Sequence, residues 1–145
     1  MRRSAWVFIV AASPWAIFAA AHAQTTQPAP STPANGWQIP ENAREEKSPL
    51  SPTPGVLKKG KSIYDGKCAK CHGPQGQGDG PDSDKEHPAA NLSESRGSRN
   101  PDGVLFYKIW NGRKEPKMPA FKSELTKDEA WAVVEYAKSL RTRDW

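Results

Sequence analysis

The sequence predicts an all-α fold with long loops and three main helices. Three observations predict it. Two apolar-periodic stretches in the C-terminal half carry helix start and stop signals. A third helical stretch runs into the pentapeptide Cys68-Ala69-Lys70-Cys71-His72. No convincing strand pattern and no internal repeat is visible anywhere in the chain.

Residues 1–23 read as a secretory signal peptide. Arg2 and Arg3 form a positive start, residues 6–21 are an apolar run interrupted by Pro14, and Ala21-His22-Ala23 is an A-x-A cleavage site before Gln24. The expected destination is the periplasm. An uncleaved anchor facing the periplasm is the alternative, although the run is shorter than the ~20 residues a spanning helix prefers. Arg2-Arg3 alone is a thin match to a twin-arginine signal. The formal charge of +5 over 145 residues falls to +3 when these two arginines leave, because all 16 acidic residues lie downstream. The remaining length suits one domain. A hydrophobic share of 36% is low for a domain with a large protein-only core.

Residues 24–55 hold seven prolines between Pro28 and Pro54, with Ser, Thr and Gln around them. Such composition favours an extended, semi-rigid spacer. We assign the stretch as a Pro-rich linker or extended arm, with residues 24–35 disordered. Trp37, Ile39 and Leu50 leave two readings open. They pin an arm onto the domain, or they are scattered apolar residues of no consequence.

The domain proper is placed at residues 56–145. Residues 56–69 read as its first helix, in which Gly60, Tyr64 and Cys68 recur every four residues and share one face. The pentapeptide that follows is C-x-x-C-H, the attachment signature of c-type haem. Two thiols add across the two haem vinyl groups as thioethers. The two intervening residues let one helical turn present both sulfurs to one porphyrin edge. His72 then reaches the iron as proximal axial ligand. A thioredoxin-like pair needs a βαβ setting, which is absent. Structural zinc wants four N or S ligands. Beyond the N-terminal segment the chain offers Cys68, Cys71, His72 and His87. One covalent haem would also supply the missing apolar centre, so folding should depend on it.

Residues 72–91 are dense in Gly and Pro and form a loop wrapping the haem edge. Asp79, Asp82, Asp84 and Glu86 make it acidic and solvated. Residues 100–110 are the second helix, with Asn100 as cap, Pro101 at the first helical position, Asp102 favouring the dipole and Asn111-Gly112 as the stop. The third helix starts at a capping box, Thr126 with Glu129, and runs through Trp131, Val133, Val134, Tyr136, Ala137 and Leu140.

Between the last two helices lies Met118, the one methionine left after the signal peptide. A thioether is a soft, neutral ligand that raises the potential of a haem iron. Pro116 and Pro119 stiffen the strap around it. We assign Met118 as the sixth ligand; His87 is the rival, and a side chain merely filling the core is the bland reading.

The stretch Leu57-Lys58-Lys59-Gly60-Lys61-Ser62-Ile63-Tyr64 before Cys68 resembles the first helix of class I c-type cytochromes. So does Gly73-Pro74-Gln75-Gly76-Gln77-Gly78-Asp79-Gly80, common in bacterial members. Residues 109–121 resemble their methionine-ligand region and residues 131–140 their last helix. The resemblance covers residues 56–141. It implies a cytochrome c-like fold, three main helices around one covalent haem c, with Gly60 and Tyr64 crossing the last helix near Val133 and Tyr136. It also implies a proline carbonyl fixing the proximal histidine, with Pro88 or Pro81 as candidates. The implied function is single-electron transfer by a periplasmic carrier with His72 and Met118 as axial ligands, not an enzyme. The alternatives are a fixed haem subunit or domain of a dehydrogenase or terminal oxidase complex, and a haem enzyme with a displaceable sixth ligand. Expected partners are redox proteins, a dehydrogenase, oxidase or reductase, with an acidic docking surface met by Lys67, Lys70, Lys114, Lys117 and Lys122. No nucleic-acid partner is expected, and membrane contact only through an uncleaved N-terminus.

Overall fold

The computed structural model describes residues 36–94 and 100–141. The signal-peptide assignment and the disorder expected for residues 24–35 lie outside them. Among the described residues the helices are α1 (Glu41–Glu45), α2 (Pro54–Lys67), α3 (Ala69–His72), α4 (Asp102–Asn111) and α5 (Lys127–Ser139). Their β pairing is confined to an isolated bridge between Arg113 and Met118. The architecture is therefore all-α with long loops, as predicted. Among the described residues no helix is long and apolar enough to cross a membrane.

Helix α2 begins two residues before the predicted start. Thr53 caps it by accepting from the Val56 N–H at 3.4 Å, and Pro54 takes the first turn, where its missing N–H costs nothing. It ends at Cys68, whose φ of −109° breaks the axis, and α3 carries the rest of the motif. Helix α5 has the predicted capping box: Thr126 Oγ1 accepts from the Glu129 N–H at 3.3 Å, and Glu129 Oε2 accepts from the Thr126 N–H at 3.0 Å.

These two helices cross at Gly60. A Cβ there would sit 2.1 Å from the Ala132 carbonyl oxygen and 2.9 Å from Tyr136 Cβ. The crossing falls at Ala132 and Tyr136, one residue from the expected Val133. One turn on, Tyr64 is 1% exposed and meets Tyr136 edge to face at 5.2 Å. The Tyr64 hydroxyl donates to the Gly73 carbonyl at 2.8 Å. Helix α4 completes the core. Phe106 stacks on Trp131 at 4.3 Å and on Trp110 at 5.5 Å, with Leu105, Ile109, Phe121, Val133 and Val134 buried around them.

Helix α4 starts differently from the prediction. Pro101 occupies the cap position without a side-chain bond, and the helix begins at Asp102. Asn100 does not cap it, because its Oδ1 accepts from Lys108 Nζ at 3.3 Å instead. The Asp102 carboxylate accepts from the Ser48 N–H at 3.2 Å and pairs with Lys138 at 3.0 Å. Burial opposes its charge, but Lys138 and Ser48 outweigh burial and hold the carboxyl below its ordinary value. Lys138 also pairs with the buried Glu135 at 3.1 Å.

Residues 36–50 pack on this domain. Trp37, Ile39 and Ala43 are buried with Val104 in a second apolar cluster. The sequence shows no helical period there, yet α1 forms. Five residues are too few for a helix to stand alone in water. Tertiary contact holds it: Ala43 is buried, and the Glu46 carbonyl accepts from the Gly103 N–H at 3.1 Å.

Gly60→Ala should destabilise the protein by about 3 kcal/mol, because the obstacle is backbone that cannot swing aside. Gly66 lies on the same helix with nothing within 4 Å of its added Cβ. Gly66→Ala should instead stabilise by about 0.5–1 kcal/mol. Midpoints of chemical unfolding check both, and equal effects of the two variants would refute the crossing.

Candidate functional site

The site begins where α2 breaks. The Cys68 N–H still donates to the Tyr64 carbonyl at 2.8 Å, and the Cys68 carbonyl accepts from the Cys71 and His72 N–H groups at 3.1 and 2.9 Å. One tight turn therefore carries both half-buried sulfurs, which are not joined in a disulfide. Burial pushes the Cys68 thiol up to about 12. A redox-active pair needs an accessible thiolate, so this environment suits Cys68 badly to that chemistry. Among the described residues no group of three or more His, Cys, Asp or Glu side chains converges as a metal-binding set.

The loop after His72 folds back on α3. Gly78 donates to the His72 carbonyl at 2.8 Å, Gly80 to Cys71 at 3.1 Å and Asp82 to Lys70 at 2.7 Å. The last carbonyls of the attachment turn are thus satisfied by loop backbone rather than by side chains. Further on, the Leu92 N–H donates to the Gly76 carbonyl at 2.5 Å. That bond draws residues 89–92 against the attachment turn.

His72 Nδ1 lies 3.0 Å from the Ala90 carbonyl oxygen. A carbonyl can only accept, so Nδ1 carries the proton and neutral imidazole leaves Nε2 bare. Burial lowers the His72 pKa, while the Ala90 bond pulls the other way. The net direction favours the neutral, ligating form. The expected proline carbonyl of Pro88 or Pro81 is not the partner; the Ala90 carbonyl takes the role. The physical reason is the anchor at Leu92, which fixes the chain two residues beyond Ala90. His87, the rival sixth ligand, is exposed, and its backbone N–H donates to Asp84 Oδ1 at 2.8 Å.

Met118 is half-buried on a strap closed by two backbone bonds. Arg113 N–H donates to the Met118 carbonyl and Met118 N–H to the Arg113 carbonyl, both at 2.9 Å. Gly112 turns into the strap at φ +59°, and a Cβ there would sit 2.5 Å from the Met118 oxygen. Cys68 and Met118 pack against the same apolar cluster, together with Ile63, Trp110 and Leu125. Two thiols on one turn, an imidazole oriented through Nδ1 and a thioether in a shared apolar lining fit a covalent haem. Sequence reading missed Ala90 and the Arg113 bridge, since backbone partners leave no side-chain signal.

The charged surroundings differ from the expected lysine ring in one place. Lys67 is ion-paired with Glu124 at 2.5 Å, tying the end of α2 to the segment after the strap. Lys70, Lys114, Lys117 and Lys122 are exposed. Lys108, behind the strap, is half-buried, and burial pulls its amine down to about 8, with Arg113 and Arg44 adding to the effect.

A family model described as cytochrome c matches residues 57–141. A chain from the reducing HAO-like protein complex of Kuenenia stuttgartiensis is similar in structure, with a TM-score of 0.54 and 32% identity. The match covers 65% of this chain and 47% of that one, so the present chain spans about half the length of its solved relative. No curated protein matches the chain.

Covalent attachment predicts that acid–acetone extraction leaves the colour with the protein; haem recovered in the solvent would refute it. Cys68→Ala combined with Cys71→Ala should give a largely unfolded chain by circular dichroism, because the apolar centre is lost.

Proposed function

The chain belongs to the cytochrome c family, with haem c held covalently through Cys68 and Cys71, and on that premise we propose that it is a single-electron carrier of the periplasm. In this reading His72 and Met118 would hold the haem iron. The observation that carries it is the position of Met118, locked by paired backbone bonds to Arg113 and packed in the cluster that also receives Cys68.

When bound, the haem supplies a ferric–ferrous couple. The residues of the chain hold that couple in one geometry. His72 offers Nε2 because Ala90 fixes its other nitrogen, which also strengthens the imidazole as a donor. Met118 offers a neutral sulfur that favours the ferrous state and raises the potential. Phe106, Ile109, Phe121 and Trp131 exclude water from the apolar side. No acid, base or nucleophile is required, because the substrate is an electron.

A second reading is favoured by one observation: the similar solved chain belongs to a protein complex. The present chain would then be a fixed haem subunit or domain passing electrons to redox proteins within a larger assembly. Co-purification from the native periplasm or membranes separates the two readings. A carrier runs alone, whereas a subunit arrives with stoichiometric partners.

Met118→Ala should abolish the weak long-wavelength sulfur-to-iron band of the oxidised protein and open the reduced protein to carbon monoxide. The potential should fall by on the order of 0.1 V, within the ~0.8 V that axial ligands command. A band that survives the substitution would move the sixth ligand to His87 or a lysine, and would revive an enzyme with a displaceable ligand.

Docking through the exposed lysines predicts that electron transfer with the native partner slows as salt rises, since charges are screened beyond ~10 Å at 0.1 M. Lys70→Glu with Lys117→Glu should slow it further, by about tenfold at low salt. Lys58→Glu is the control. It lies ten residues before Cys68, about 15 Å along the helix axis. A rate indifferent to salt and to both reversals would refute the lysine surface.

A further inference from the structure

We infer that residues 36–50, which precede the stretch matched by the family, are a built-in brace for the Met118 strap, and that Trp37 is a positioning residue for the sixth ligand. The inference rests on Met118 being that ligand.

The brace is fixed at one end on helix α4. Glu46 accepts from the Gly103 N–H at 3.1 Å, and the Ser48 N–H donates to Asp102 Oδ2 at 3.2 Å. A Cβ on Gly103 would sit 2.3 Å from the Ala43 carbonyl oxygen, so the two backbones lie in direct contact. The other end runs beside the strap. Gly36 lies next to the Glu115 carbonyl, where a Cβ would come within 3.8 Å.

Trp37 joins the two. Trp37 is 6% exposed, and its ring faces two cations, the Arg113 guanidinium at 4.7 Å and Lys108 Nζ at 5.3 Å. Arg113 is the bridge partner of Met118 on both backbone bonds, and its Nε donates to the Pro116 carbonyl at 2.8 Å. The contact at Trp37 therefore bears on the residue that closes the strap. Met118 itself packs against both apolar clusters, the one around Trp131 and the one formed by Trp37, Ile39, Ala43 and Val104.

A thioether carries no charge, so its hold on iron depends on how little freedom the strap must give up to make the bond. A strap held shut beforehand loses less entropy when the ligand binds. The His72 side is held by other residues, Ala90, Leu92 and Gly76, none of which belongs to the brace. The effect falls on ligand exchange at the Met118 side.

The test uses the full-length, haem-loaded protein. Trp37→Ala should weaken the sulfur-to-iron band by half or more and speed carbon monoxide binding by the reduced form about tenfold, equivalent to about 1.4 kcal/mol. Trp37→Phe keeps an aromatic ring under Arg113 and should fall closer to wild type than Trp37→Ala on both readouts. A Trp37→Ala protein with the wild-type band and the wild-type carbon monoxide rate overturns the brace while leaving Met118 as ligand. A wild-type protein lacking the band overturns the ligand assignment, and the brace with it. Should Trp37→Ala fail to take up haem, Ile39→Ala decides, since it thins the same cluster. Carbon monoxide binding about threefold faster than wild type, equivalent to about 0.7 kcal/mol, supports the brace, and an unchanged rate overturns it.

Discussion

Gly60 brings α2 into backbone contact with α5, and the geometry of the attachment turn follows from that contact. With no Cβ in the way, Tyr64 lies against Tyr136 and its hydroxyl reaches the Gly73 carbonyl. Burial pushes the Tyr64 phenol far above its ordinary value, so it stays a donor at any relevant pH. That bond fixes the chain immediately after His72, where Gly73 leaves the helix at φ +77°. Gly76 follows within reach of both Tyr64 and Leu92, and the Leu92–Gly76 bond sets the loop that presents Ala90 to His72. A helix crossing thus determines, contact by contact, which imidazole nitrogen stays free.

The Met118 side is built from different parts. Its strap depends on Gly112, on the Arg113 bridge and on apolar contact with residues from the N-terminal arm. Ion pairs add the remaining ties. Lys67 with Glu124 joins the attachment helix to the segment after the strap, and Lys138 with Asp102 and Glu135 joins α5 to α4. The first is exposed enough that salt and solvent leave it little net stabilisation. The second matters more, because Glu135 is only 3% exposed and a buried carboxylate without Lys138 would be strongly destabilising.

What could be read from the sequence was what local chemistry writes into side chains. The C-x-x-C-H pentapeptide, the Thr126–Glu129 capping box, the Gly and Pro density after His72 and the small residue at position 60 all carry their meaning in residue type. What could not be read was set by backbone and by tertiary contact. Ala90 holds His72 through a carbonyl that any residue possesses, and the bonds of its neighbours, Leu92 to Gly76 and Ala89 to Ser83, set it there rather than Pro88. Asn100 looked like a cap, but the approach of Lys108 gives its side chain another partner. Helix α1 has no periodicity to betray it, because contact with Gly103 and Val104 makes it helical rather than its own propensity. Trp37 showed only that something apolar stood in a polar stretch; its partners, Lys108 and Arg113, lie some 70 residues away.

The two limbs of the site also differ in how much they need support. An imidazole held through Nδ1 is a strong donor to iron in either oxidation state. A thioether favours the ferrous state and is the weaker partner once the electron has left. With Met118 as the proposed sixth ligand, loss of the ligand would therefore begin on its side, and in the oxidised protein. That is the limb on which the chain places material beyond the stretch its family shares: Trp37, Ile39 and Ala43, packed against Val104 and the strap. A carrier that meets donor and acceptor in separate encounters spends part of its life oxidised and alone. In the proposed carrier, rigidity on that limb would keep the coordination the same at both encounters, without altering the residues that orient His72.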